Sequence, residues 1–191
     1  MTTTYRVGYF IGSLSSTSIN RILATALIRL APSELVFTEI PFKDLPLYSP
    51  DHEHNCPDPV VALKAALAAS DAVLFVTPEY NRSIPGGLKN AIDWASRPYG
   101  QNSFNRKPSA SIGASPGPIG TAVAQQHLRS LLGYCNAPQM NSPEGYIRFT
   151  PGLIDADGTV SDPGTEEFLR NYMKEFYGFI SRVYLAIPKP G

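Results

Sequence analysis

The segment Gly12-Ser13-Leu14-Ser15-Ser16-Thr17-Ser18-Ile19-Asn20 packs four serines and a threonine between an apolar run and a stretch of helical period. Hydroxyl donors at such a junction converge with the unpaired N–H groups of a helix N-terminus, where the dipole adds about +0.5 of a charge, so the segment can hold a phosphate without a lysine or a metal. Ser18 serves equally as a plain N-cap with the other hydroxyls decorating a loop. The segment alone does not decide between these readings. Neither G-x-x-x-x-G-K-[ST] nor G-x-G-x-x-G occurs, which disfavours a nucleoside triphosphate and a dinucleotide held at a glycine fingerprint.

A second segment, Thr77-Pro78-Glu79-Tyr80-Asn81-Arg82-Ser83-Ile84-Pro85, is stiffened by a proline near each end. Its Tyr and Asn can offer an aromatic face and backbone N–H groups to a flat heterocycle. Glu79 reads as the partner of a local backbone group or of Arg82, because one carboxylate without a second cannot divide the acid and base roles. A third segment, Ala114-Ser115-Pro116-Gly117-Pro118-Ile119-Gly120, combines glycines that let a ligand approach the backbone with prolines that limit wandering. By itself it reads as an ordinary strand-to-helix connection.

Other groups carry less. His52-Glu53-His54-Asn55-Cys56 has soft ligands but no matching cluster elsewhere, so no metal is expected. Asp155-Ala156-Asp157-Gly158 opens like a calcium loop, yet Pro163-Gly164 interrupts it before Glu166 and no helix precedes it, so it reads as a polar turn. His127 lacks a nucleophile in a G-x-S-x-G elbow, which leaves a triad hydrolase unsupported and makes it a satisfied or exposed helix histidine. Trp94, inside an amphipathic stretch, reads as core or interface. Catalytic side chains: none are assigned.

The elements that position the three segments follow from periodicity. Strands are expected at Arg6–Ile11, Glu34–Ile40, Asp71–Thr77, Pro108–Ala114 and around Ala137–Arg148, with the apolar Asp71–Thr77 run in mid-sheet. Helices are expected at Ile19–Leu30, Val60–Ala69, Gly86–Ser96, Thr121–Leu132 and Thr165 to about Leu185. Pro41–Pro59, with five prolines, reads as a long surface loop without an element. Five β/α units joined by right-handed crossovers make a single α/β domain over residues 1–191, a parallel sheet between layers of helices. Ligands of such sheets sit outside the carboxyl ends of the strands where strand order reverses, and the three segments above leave strands one, three and four.

Sixteen Lys plus Arg balance sixteen Asp plus Glu, which removes the electrostatic basis for binding nucleic acid or an anionic membrane. No apolar stretch reaches the ~18 residues of a membrane span, and the N-terminus lacks a signal-peptide pattern. Two cysteines, Cys56 and Cys135, form neither a CxxC pair nor a disulfide framework, so a reducing cytoplasm is expected. With 17% charged residues against 43% hydrophobic ones, part of the surface is expected to face a second subunit.

Taken together, Gly12-Ser13-Leu14 with Ser18-Ile19-Asn20-Arg21, Thr77-Pro78-Glu79-Tyr80-Asn81, and Ile84-Pro85-Gly86-Gly87-Leu88-Lys89-Asn90-Ala91-Ile92-Asp93-Trp94 resemble the NADPH-dependent FMN reductase family, in its chromate and quinone (azobenzene) reductase branch. Leu45-Pro46-Leu47-Tyr48, Gln125 with His127-Leu128-Arg129, and Asn141-Ser142-Pro143-Glu144 add to the likeness, which runs from about Arg6 to Val183. The resemblance implies a flavodoxin-like three-layer sandwich with strand order 2-1-3-4-5 and FMN bound non-covalently, with NADPH or NADH as co-substrate. By position, Ser13, Ser15, Ser18 and Asn20, with Ser16 and Thr17 beside them, hold the FMN phosphate. Pro78, Glu79, Tyr80 and Asn81 line the isoalloxazine, and Arg82 with Ser115, Pro116 and Gly117 completes the rim. Relatives often carry Arg where this chain has Ser15. Arg82 is read as attracting an anionic acceptor or the phosphate of a pyridine nucleotide.

The implied activity passes hydride from NAD(P)H through FMN to quinone-, azo- or chromate-type acceptors by a ping-pong mechanism, in a homodimer or homotetramer. A flavodoxin-like electron carrier is the alternative, against which the missing acidity counts. A phosphate-binding regulatory or hydrolytic domain using only the serine segment is the other.

Overall fold

Strand and helix alternate from Tyr5 to Ala186 in the computed structural model, which describes residues 3–189. In chain order they are β1 (Tyr5–Ile11), α1 (Ile19–Leu30), β2 (Leu35–Glu39), α2 (Asp58–Ala68), β3 (Ala72–Val76), α3 (Gly86–Ala95), β4 (Ser109–Ser115), α4 (Ala122–Tyr134), β5 (Gly145–Arg148) and α5 (Pro163–Ala186). All strand pairs are parallel, and the sheet order is β2-β1-β3-β4-β5. This is the flavodoxin-like three-layer arrangement, with strand order reversing between β1 and β3. β3 is apolar and buried along its whole length, as a strand covered on both faces must be.

Each sheet face is closed by a stripe of helical side chains. On one face Leu23 and Leu27 of α1 meet Leu169, Met173 and Phe176 of α5. On the other, Leu63 and Leu67 of α2, Leu88 and Trp94 of α3 and Leu128 of α4 pack together. Trp94 is core, and its indole N–H is satisfied by the Pro46 carbonyl at 2.8 Å. No helix among the described residues is long and apolar enough to cross a membrane.

Two expected boundaries are corrected. The fifth strand does not run from Ala137. Gln139 bridges Ser109, and pairing resumes only with Gly145 opposite Ile112, so this edge uses six residues where β4 uses three. Pro138 and Pro143 bring no N–H to a ladder, and the Asn141–Glu144 stretch bulges out of it. The Pro41–Pro59 segment is not wholly irregular either. A 3-10 turn occupies Pro50–His52, with the Ser49 side chain accepting from the Asp51 N–H, and α2 already begins at Asp58. Prolines are tolerated there because first-turn N–H groups have no helical acceptor.

The carboxyl ends of β1, β3 and β4 meet with no room to spare. A Cβ on Gly12 would lie 2.6 Å from Thr77 Oγ1, and one on Gly113 would lie 2.0 Å from the Thr77 carbonyl oxygen and 2.4 Å from Thr121 Oγ1. Thr77 is fully buried between the two glycines. Because the Gly113 clash is with backbone, no side-chain rotation relieves it. Gly113→Ala is expected to cost about 3 kcal/mol in urea denaturation, the upper part of the overpacking range. A wild-type midpoint and slope would show that the strand ends are not held so closely.

Candidate functional site

The three loops that leave these strand ends converge on one crevice of about 250 Å³. The first is folded by its own hydroxyls. Ser13 Oγ accepts from the Ser15 N–H and Ser15 Oγ from the Thr17 N–H, each at 3.2 Å. Ser18 caps α1 by accepting from the Arg21 N–H at 3.4 Å. The N–H groups of Ile19 and Asn20 open the helix and have no intrahelical acceptor, so they add amide donors and the positive end of the dipole.

Asn20 does something its sequence position does not announce. Its carboxamide is buried, donating from Nδ2 to the Ala114 carbonyl at 2.9 Å and accepting on Oδ1 from the Ala114 N–H at 2.8 Å. The first residues of α1 are therefore bolted to the start of the third loop.

The second loop closes on a two-residue turn. Tyr80 and Ser83 exchange both backbone hydrogen bonds, at 2.9 and 3.0 Å, and Asn81 and Arg82 between them have φ of 51° and 63°. Positive φ at both central positions defines a type I′ turn, in which Asn is well tolerated and Arg is not favoured. Tyr80 stands half-exposed with its hydroxyl 3.4 Å from Ser13 Oγ, which ties this loop to the first. His127, exposed on α4, places Nδ1 3.0 Å from Ser83 Oγ.

Glu79 pairs with Arg82, as the sequence suggests, but the backbone groups it meets lie far along the chain on α4 and are not local ones. Its Oε2 accepts from the Val123 and Ala124 N–H groups at 3.1 Å each, and its Oε1 accepts from Arg82 Nη1 at 3.1 Å. Thr121, the residue preceding α4, makes no side-chain cap, so the Glu79 carboxylate caps that helix instead. The acid is thereby committed to α4 and Arg82 although Glu79 lines the crevice. In the third loop Ser115 Oγ accepts from the Gly117 N–H at 3.1 Å.

The crevice wall brings together Ser13, Ser15, Thr17, Ser18 and Asn20 from the first loop, Pro78, Glu79 and Tyr80 from the second, and Ser115 and Pro116 from the third. Asn81 and Arg82 form the turn tip beyond it, Gly117 lies just past Pro116, and Ser16 faces an adjoining cavity. Ile19 and Ala114 line the crevice without having been expected to. Gln125 is a supporting part that the motif pattern does not single out. Fully buried, it donates from Nε2 to Thr121 Oγ1 and the Gly145 carbonyl, both at 2.8 Å, and accepts from Ser111 Oγ at 3.2 Å, fixing α4 beneath the third loop. An amide at an inward position beside Ala124 and Leu128 is the signal, since a buried carboxamide must find partners.

A larger cavity, about 470 Å³, lies at the other end of α3 among Tyr48, Asp93, Arg97 and Tyr134. It touches none of the three loops, and size does not outweigh the donor set of the smaller one. Among the described residues no three His, Cys, Asp or Glu side chains gather as a metal site would require.

The model of the family described as NADPH-dependent FMN reductase matches residues 5–151. A 2-hydroxy-1,4-benzoquinone reductase from a Burkholderia species is 45% identical over 175 residues, covering 92% of this chain and 96% of that protein. A quinone reductase from Pseudomonas putida is 42% identical over 181 residues, covering 94% and 97%. The solved structure of FerB, a flavoenzyme NAD(P)H:(acceptor) oxidoreductase from Paracoccus denitrificans, superposes with a TM-score of 0.90 at 44% identity, covering 94% of this chain and 98% of that one.

The two bolts differ in kind and so in expected cost. Asn20→Ala strands a buried N–H and a buried C=O at Ala114 and is expected to lose about 2–4 kcal/mol. Glu79→Gln keeps an acceptor for α4 and gives up only an ion pair whose Arg82 end is exposed, a loss within about 1 kcal/mol. Glu79→Ala removes the cap as well, a further ~1 kcal/mol. Urea denaturation of the three variants reads the ranking, and a Gln variant as unstable as the Ala variant would mean that Glu79 acts through Arg82.

Proposed function

The chain belongs to the NADPH-dependent FMN reductase family, and we propose that it acts as an NAD(P)H-dependent quinone reductase through FMN held in the three-loop crevice. The residues fit that cofactor by the chemistry of their donors. The hydroxyls of Ser13, Ser15, Ser16, Thr17 and Ser18 with the amides of Ile19 and Asn20 hold the phosphate, a neutral set concentrated by a helix N-terminus. Pro78 to Arg82 and Ser115 to Gly117 border the ring, with the Asn20–Ala114 pair keeping the two sides in register.

Bound FMN supplies the redox step, taking two electrons from a nicotinamide and returning them to an acceptor. The protein's part is to position and to shield. One observation carries this reading: the acid on the crevice wall, Glu79, has both oxygens committed to α4 and Arg82, so no side chain there is free to serve as general base to a nucleophile. A hydrolytic use of the serine loop has no base to run it. The net charge of zero counts against a mere electron carrier that docks by an acidic surface.

Nicotinamide and acceptor use one crevice in turn, which makes the kinetics ping-pong. Nothing on its walls selects a particular acceptor by a charge of its own, so azo compounds and chromate are included with quinones. The enzyme works in the cytoplasm as a homodimer or homotetramer, for which exposed Leu47, Tyr99 and Tyr134 offer apolar contact area.

Initial-rate plots at several acceptor concentrations are expected to give parallel lines, and intersecting lines would require a ternary complex instead. Ser15→Arg adds a charge-assisted partner and is expected to tighten FMN about tenfold in fluorescence titration of the apo-protein, while Ser15→Glu weakens it by at least as much. Affinity indifferent to both changes would put the phosphate elsewhere.

A further inference from the structure

Behind the Gly12–Asn20 loop, on the side toward β2, is a second cavity of about 280 Å³ that shares Ser13 and Ser15 with the crevice. Its floor is apolar: Ile11, Ile40 and Phe42 line it and are buried against the core. Leu14, 58% exposed, overhangs it. The rim is polar, with Ser15, Ser16 and the exposed Lys43. Arg21 also reaches the rim, but both of its terminal nitrogens donate to the Glu39 carboxylate at 2.8 Å. These hydrogen bonds hold the Glu39 carboxyl below its usual range, so the pair stays ionised and mutually neutral.

Lys43 is in none of the ion pairs among the described residues. Asp44 and Asp58 border a neighbouring cavity that Lys43 also touches, yet neither pairs with it. Arg82, the cation that the sequence suggests for a nucleotide phosphate, is instead tied to Glu79 at 3.1 Å. The cavity thus offers an apolar floor, hydroxyl donors and one cation outside the ion pairs, adjoining the cradle assigned to the FMN phosphate, which the Tyr80 hydroxyl 3.4 Å from Ser13 Oγ links to the loop that borders the ring.

Resting on the reading of the crevice as the FMN and NAD(P)H site, we infer that this cavity takes the adenosine 2′-phosphate end of NADPH, with adenine over Phe42 and Ile40 and the 2′-phosphate on Lys43. Lys43 is then a specificity-determining residue. NADH lacks the group that Lys43 reads, whereas the apolar floor serves both dinucleotides. A long ammonium stem at a cavity rim recognises phosphate as a point charge, without the planar fit of a guanidinium.

The test uses the FMN-loaded protein and two probes that differ by one phosphate, adenosine 2′,5′-bisphosphate and 5′-AMP, in calorimetric titrations. The bisphosphate is expected to bind about tenfold tighter. Lys43→Ala should erase that preference without moving the 5′-AMP affinity or the retained FMN, and Lys43→Arg should keep it. In steady-state assays Lys43→Ala raises KM for NADPH and leaves KM for NADH where it was. Equal binding of the two probes, or a preference that survives Lys43→Ala, overturns the assignment. So does release of flavin by the bisphosphate, which would hand this cavity to the cofactor's own phosphate. A wild-type protein that takes up no FMN at all would strike the crevice reading instead, so the two failures are distinguishable.

Discussion

Thr77, directly after β3, lies between two glycines that cannot be anything larger. Gly12 at the end of β1 and Gly113 near the end of β4 approach it so closely that a single added carbon would meet the Thr77 side chain on one side and its carbonyl on the other. Everything at this end of the sheet follows from that contact. Three loops leave from nearly one point, so their backbones are neighbours before any side chain acts. Asn20 then bolts the first to the third, and Glu79 bolts the second to the helix that the third leads into. A site assembled this way spends little ordering entropy on binding, which is what positioning a cofactor requires.

The electrostatics are equally constrained. The cradle of the first loop holds no charged side chain and relies on hydroxyls, amides and the dipole of α1. The nearby carboxylate is consumed in capping α4, and the nearby guanidinium is consumed by that carboxylate. A cation outside any ion pair among the described residues stands on the far side of the loop, where Lys43 borders an apolar floor. The division suits a cofactor held permanently by many weak, oriented donors beside a substrate that must leave after each turnover.

Much of this was legible in the sequence, for reasons that differ by element. The bounds of α1 follow from apolar spacing, a serine cap and Pro32 just beyond its end, all local signals. β3 announces itself as an unbroken apolar run because it is buried on both faces. The three loops could be named from the rule that ligands sit at the carboxyl ends of strands. What could not be read were partnerships over long separations. Asn20 and Ala114 lie 94 positions apart, and Glu79 and Val123 lie 44 apart, distances over which no periodicity operates. The bulged approach to β5 is not legible because the Ala137–Arg148 stretch holds only Tyr146 and Ile147 as strand formers beside two prolines, too little pattern to fix where pairing resumes. The inward position of Gln125 demands buried partners, but that position does not say that two of them are Ser111 and Gly145 on the neighbouring strands.

The central claim is that the phosphate of the cofactor rests on the first loop and the opening amides of α1, in a cradle already formed. Amide NMR spectra of the apo-protein, titrated separately with FMN and with riboflavin, test it most directly. The account predicts shifts confined to the three loops, with the Ile19 and Asn20 amides moving strongly for FMN and hardly at all for riboflavin. Equal responses of these two amides to both flavins, or shifts centred on the cavity beside Asp93 and Tyr134, would contradict it.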